Sequence, residues 1–217
     1  MSVILRVLAL CLVLTGTAFG QTLVQYNPTG SQLSTTPLSP STVSSLITAS
    51  TLVQSTPGSW GNTNVWPVPT SGPFDIGVYT SFTIQPTAGN QLNLASLSYD
   101  ALSYFNSNIT LHLRSSLDGF ASDIGTVNST ASGTRAWNAT FDLSALPRNI
   151  ASSVEFRLYP DNTGAADFAD LVSTAAGGNG LVLSLVPPTI PALDHTGLLL
   201  LLGVLMAAAW MAYRRMA

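Results

Sequence analysis

Hydrophobic residues fall along this chain in two regimes. Near each end they run on without a charge, over Val7–Leu14 and Leu198–Tyr213. Between the ends they alternate with polar residues. Ile109, Leu111 and Leu113 share one side of an extended chain, and Thr110, His112 and Arg114 share the other. Trp137–Leu143 and Val154–Tyr159 repeat the pattern. Phe74–Ile84 is β-branched and aromatic and reads as a strand. Leu92–Tyr104 reads as a strand with a break near Asp100, and Gly180–Val186 as a last apolar strand. Asp118-Gly119, Ser132-Gly133 and Asp161-Asn162-Thr163-Gly164 supply turns between them. No amphipathic helix of normal length fits this region. Seven or eight short strands at such spacing predict an all-β fold, an antiparallel β-sandwich over 43–186. The polar stretch 21–42, with Pro28, Pro37 and Pro40, predicts an exposed arm with room for one edge strand.

The two apolar ends are too unlike the middle to belong to it. Residues 1–20 read as a signal peptide: Arg6 is the basic start, Val7–Leu14 the short apolar core, and Ala18-Phe19-Gly20 the small-residue cleavage site. Cleavage there makes Gln21 the first mature residue. The competing reading is an uncleaved anchor. At the other end, 198–217 predict one transmembrane helix and its tail. At ~1.5 Å per residue, Leu198–Tyr213 reaches roughly 24 Å against a hydrocarbon core of ~30 Å. Thr196 and Gly197 extend it, and Trp210 and Tyr213 suit the interface. Arg214 and Arg215 then stay in the cytoplasm and the domain lies outside. A buried helix closing the domain is the alternative. Pro187, Pro188 and Pro191 keep 187–197 extended between domain and span.

Composition narrows the chemistry. Only 8% of the 217 residues are charged, against about 25% in ordinary globular chains. There is no lysine, which excludes a P-loop, a Schiff base and a Ser-Lys dyad. A net charge of −3 gives no electrostatic footprint for nucleic acid. The one cysteine, Cys11, lies inside the N-terminal apolar run, so the mature domain has neither a disulfide nor a thiol nucleophile. A charge-poor, Ser/Thr/Asn-rich domain between two export segments predicts an extracellular surface protein.

The tail has a more specific look. Ile190-Pro191-Ala192-Leu193, two polar residues, Thr196-Gly197, a leucine-rich span and a terminal arginine pair resemble the IPTL-CTERM sorting signal of Gram-negative bacteria. The chain keeps Ile190, Pro191, Leu193 and Gly197 of that pattern and departs from it at Ala192 and Thr196. The layout is shared with PEP-CTERM tails, which Val186-Pro187-Pro188 faintly echoes. The resemblance implies an exosortase-type processing enzyme as partner, and association with exopolysaccharide or biofilm matrix. A plain stalk and membrane anchor is the competing reading of the same prolines. Farther in, Leu97-Ser98-Tyr99-Asp100, Arg114–Gly125, Phe141–Ser144 and Val154–Tyr159 are similar to the jelly-roll ectodomain of PEP-CTERM surface proteins, over roughly 74–186. That family is similar in outline to carbohydrate-binding jelly rolls. Its Asp-Asn before the last strand has no aspartate here, where the chain reads Gly178-Asn179-Gly180.

Few residues suit catalysis. His112 is the one histidine before the tail, and no Gly-x-Ser-x-Gly elbow accompanies it. Its alternation makes it a surface strand histidine rather than a triad member. Glu155, the one glutamate, shares a strand face with Arg157 and reads as half of a polar pair. Asp161, Asp167 and Asp170 gather oxygen ligands in one loop, a weak calcium candidate whose spacing does not match an EF-hand. Trp60 and Trp66 in a Gly/Asn loop are candidates for stacking on sugars; plugging the end of the sandwich is the bland alternative. The sequence therefore predicts no catalytic residue and no cofactor. It predicts an exported, non-enzymatic surface or matrix protein, alternatively a carbohydrate-binding module on a permanent anchor.

Overall fold

The strand with the clearest alternation, Ile109–Ser115, buries every second residue from Ile109 to Ser115, and its neighbours follow the same rule. The computed structural model describes residues 20–30, 36–56, 65–66, 73–103, 109–129, 135–162, 170–172, 178–186 and 214. Residues 20–186 form one compact unit. Its described strands are β1 (Thr22–Tyr26), β2 (Thr42–Val43), β3 (Ile47–Ala49), β4 (Val53–Gln54), β5 (Val65–Trp66), β6 (Thr80–Pro86) and β7 (Leu94–Ser103), then β8 (Ile109–Ser115), β9 (Gly125–Asn128), β10 (Arg135–Asp142), β11 (Val154–Asn162), β12 (Asp170–Val172) and β13 (Leu181–Leu185).

They make two antiparallel sheets, as a β-sandwich requires. The seven-stranded sheet runs β2-β1-β13-β7-β12-β5, with β10 also on β7. β10 lines β7 from Ser96 to Ser103. β13 and β12 therefore share the other edge of β7, pairing with Leu94–Tyr99 and Ala101–Leu102. The six-stranded sheet runs β3-β6-β11-β8-β9, with β4 also on β6. The core between the sheets is apolar and aromatic. Leu97, Ala139, Phe141, Leu181 and Leu183 come from one sheet, and Phe82, Ile84, Leu111, Leu113, Phe156 and Leu158 from the other. Phe82 and Phe156 stack with centroids 5.5 Å apart.

The stretch expected to be an exposed arm supplies β1 instead. Leu23, Val24 and Tyr26 are fully buried, and β1 lies between β2 and β13. Tyr26 reaches across the sandwich. Its ring meets Phe82 at 5.4 Å and its hydroxyl donates to the Ser50 carbonyl at 2.5 Å. Burial pushes its phenol well above the usual range, so it remains a donor. Two strand boundaries also move. The β6 strand starts at Thr80, not Phe74, because Asp75 folds the chain before it: its carboxylate accepts the Gly77 N–H at 2.7 Å and its carbonyl the Val78 N–H at 3.0 Å. No break occurs at Asp100, which lies within the continuous β7. Among the described residues no helix is long and apolar enough to cross a membrane. Ala18, Ile190, Pro191, Ala192, Leu193, Gly197 and Arg215 lie outside the described residues, as does the expected span apart from Arg214.

Two substitutions test this frame. Gly180 sits at φ +72°, and a Cβ there meets the Tyr26 carbonyl oxygen at 2.0 Å. Gly89 has φ +83° with open space around it. Gly89→Ala should cost about 1–2 kcal/mol, the left-handed penalty alone. Gly180→Ala should cost clearly more in the same denaturant titration, because backbone has to move. Tyr26→Phe should cost about 1 kcal/mol, the worth of one hydrogen bond whose acceptor stays behind.

Candidate functional site

Chemistry-bearing side chains gather on the outer faces of both sheets. On the six-stranded sheet, β8 presents Thr110, His112 and Arg114, and β11 presents Glu155, Arg157, Tyr159 and Asp161. The register sets Tyr159 opposite His112 and Arg157 opposite Arg114. Two like charges directly opposite repel, so each arginine needs a partner of its own. Glu155 serves Arg157, two residues along the same strand: Arg157 Nε donates to Oε1 at 2.7 Å. That is the pair the sequence predicts. Asp123 serves Arg114, whose Nε donates to Oδ1 at 2.6 Å.

Asp123 is delivered by the loop after β8. A 3-10 turn over Ser116–Asp118 ends in Gly119 and Phe120, both at positive φ (70° and 63°). A left-handed phenylalanine is unusual and strained. Three groups hold this loop closed. The Asp118 carboxylate accepts the Ala121 and Ser122 N–H groups and the Ser122 hydroxyl. The Phe120 carbonyl accepts Arg114 Nη1 at 3.1 Å. The Phe120 ring lies 3.7 Å from the Arg157 guanidinium, which meets Tyr79 at 4.3 Å. Asp123 thus returns to β8 with both oxygens in use. Its Oδ2 lies 2.7 Å from His112 Nδ1. His112 Nε2 points toward Asp161 Oδ2 at 3.8 Å, beyond a hydrogen bond. Phe74 covers the imidazole edge-on at 4.9 Å, and its N–H donates to Asp161 Oδ1 at 3.1 Å. His112 is therefore a strand histidine on the outer face, as expected. Its carboxylate partner and aromatic lid were not visible in the sequence. Every arginine and carboxylate here has a partner within the protein, and among the described residues no serine or threonine hydroxyl is hydrogen-bonded to His112.

The outer face of the seven-stranded sheet is poor in charge: Ser98, Asn138 and Thr140 surround Asp100, and the exposed Asp142 at the end of β10 accepts the Ser144 N–H. Asn138 Nδ2 donates to Ser98 Oγ at 2.7 Å and to Asp100 Oδ1 at 2.5 Å. Its Oδ1 accepts the Thr140 hydroxyl at 2.5 Å. The Asn179 N–H donates to the other Asp100 oxygen. Beside them opens a cleft of about 410 Å³, lined by Asp100, Ala136, Trp137, Asn138, Gly178 and Asn179. Sequence reasoning passed over this site, because Asp100 read as a strand break and Gly178-Asn179-Gly180 only as a place where the expected aspartate is missing.

The remaining candidates are placed as follows. Trp60 and Asp167 lie outside the described residues, and of Trp66 only the backbone is described, paired with Leu171. Asp161 and Asp170 flank the proposed calcium loop on strands of different sheets. Asp161 faces His112, and Asp170 is buried near Tyr99, whose phenol is pushed up by burial and then by that carboxylate. Among the described residues no three His, Cys, Asp or Glu side chains form a group able to hold a metal ion.

No family model matches the chain, and no curated protein matches it. Among solved structures, the enzymatically active domain of bacteriophage CBA120 tailspike protein 4 is similar over 65% of this chain, at 12% identity and a TM-score of 0.28. The likeness spans 20% of the tailspike chain. A likeness of that depth assigns neither fold nor activity.

The outer-face cluster makes an acid-stability prediction. Burial alone raises the Asp123 carboxyl, but the hydrogen bonds and charges of His112 and Arg114 outweigh it and hold it below its ordinary value. A depressed carboxyl stabilises the fold above its unfolded pKa of about 3.9, and that stability is lost as pH falls through the folded value. Asp123→Asn should cost about 1–2 kcal/mol at pH 7 and flatten the acid limb of a stability–pH curve. An unchanged acid limb in the variant counts against the pairing.

Proposed function

We propose that this chain is an exported, non-enzymatic surface or matrix protein. Its β-sandwich is a jelly-roll-like ectodomain, and its tail is an IPTL-CTERM-like sorting signal read by an exosortase-type enzyme. The observation that carries the reading is the order of parts in the sequence. An export signal comes first, then a cysteine-free domain, a proline-marked Ile190-Pro191-Ala192-Leu193 strip, an apolar span and Arg214-Arg215. The outer-face cluster adds support. Its histidine, arginines and carboxylates hold one another and the loop after β8. A catalytic group instead needs a reacting partner within reach. A jelly-roll ectodomain on such a tail suits association with exopolysaccharide. The membrane holds the chain through residues 198–217 until the tail is processed, after which the domain belongs to the cell surface or the matrix.

The test is the intact mass of the protein from its native cells, with its C-terminal peptide sequenced. The expected chain starts at Gln21, ends near Pro191 and lacks Leu198–Ala217. A chain that keeps Arg214-Arg215 in the membrane fraction makes the tail a permanent anchor and overturns the sorting reading.

A further inference from the structure

We propose that the cleft beside Asp100 binds an uncharged saccharide unit. This deepens the polysaccharide association above and draws its biological sense from that reading, although the geometry stands without it. Asp100 is only 9% exposed, yet it has no cationic partner among the described residues. Burying an unpaired carboxylate is costly. In the outer-face cluster across the sandwich, by contrast, Asp123 and Glu155 are paired with basic groups. At Asp100 it supplies neutral donors instead, Asn138 Nδ2 and the Asn179 N–H. An ionised carboxylate offers about four acceptor positions, so these two bonds orient it and leave acceptor capacity over.

The rest of the lining says what that capacity suits. The Asn138 amide is fixed by Ser98 and Thr140 and cannot turn to compete. The Asn179 carbonyl oxygen accepts from Gln25 Nε2 at 2.8 Å, which pins the backbone. The Asn179 side-chain amide is exposed and makes no hydrogen bond within the described residues, so it offers both a donor and an acceptor. Ala136 adds apolar wall on the outer face, while Trp137 alternates inward with Ala139 and Phe141 and packs against the core. A carboxylate acceptor beside an exposed carboxamide matches a pair of adjacent hydroxyls: one donates to the carboxylate and accepts from the amide N–H, and the other donates to the amide oxygen. The volume falls in the range of small-molecule clefts, about 300–1,000 Å³. The one charge is negative, which disfavours sulfated or carboxylated sugars.

The full-length protein is applied to immobilised neutral glycans ending in glucose, galactose, mannose or rhamnose, with sialylated and sulfated glycans as charged controls. Asn179→Ala removes the free amide and leaves the backbone N–H that holds Asp100. Asp100→Asn keeps the shape and removes the charge. The expected result is binding to at least one neutral glycan, weakened about tenfold or more in both variants, with Asn179→Ala unfolding at the parent temperature. Three results overturn the site: no neutral glycan bound, binding to charged glycans alone, or neutral binding that survives Asn179→Ala. If that surviving binding is lost in Trp66→Ala, the tryptophan loop is the sugar site instead. None of these outcomes alters the intact mass of the native chain, so failure of the cleft is distinguishable from failure of the sorting reading.

Discussion

Tyr26 ties the two sheets together. Without a cysteine in the domain, nothing covalent can do so. Tyr26 leaves β1 in one sheet, packs on Phe82 of the other and gives its hydroxyl proton to the Ser50 carbonyl. Ser50 is itself bound to β6, its N–H on the Thr83 carbonyl and its hydroxyl accepting the Thr83 N–H. On the opposite side, the Tyr26 carbonyl leaves no room for a side chain on residue 180. One residue therefore sets the contact between sheets and the close approach of β13.

The outer faces show two treatments of charge. On β8 and β11 the register forces two arginines together, and the fold answers with carboxylates and rings. The left-handed Phe120 backbone accompanies this arrangement: the loop returns Asp123 to β8 while the Phe120 ring covers Arg157. On β7 and β10 the carboxylates have no basic partner among the described residues, and Asp100 is steadied by amides. The first arrangement is closed on itself. The second keeps unused hydrogen-bonding capacity beside a cleft.

Legibility in the sequence followed the range of the interactions. The strands β8, β10, β11 and β13 were readable because period-two burial is a local signal. The Glu155–Arg157 pair was readable because its members are two residues apart. The Phe74–Tyr79 segment misled because its composition is that of a strand, while a single Asp75 carboxylate makes it a turn. Asp100 misled because a carboxylate in a strand is normally a stop. Its partners Asn138 and Asn179 are 38 and 79 residues away in the chain. Likewise β1 looked polar from its surroundings, and its burial comes from β13, at the far end of the domain. Only the sheet brings these together.

The pairing of β1 with β13 has a mechanical consequence. Thr22 lies opposite Ser184, and the Leu185 N–H bonds to the Gln21 carbonyl at 2.9 Å. The first and last strands of the domain are thus neighbours, and β13 fills the slot between β1 and β7. The seven-stranded sheet cannot close until residue 185 has arrived. A chain threaded through a membrane from its N-terminus would cross with that slot empty, as an extended polymer that suits a narrow channel. Closure over so long a loop is slow. Once it is complete, tension between the two ends of the domain pulls on adjacent ladder bonds in turn, so the sheet opens like a zip from Gln21 and Leu185 rather than shearing as a block.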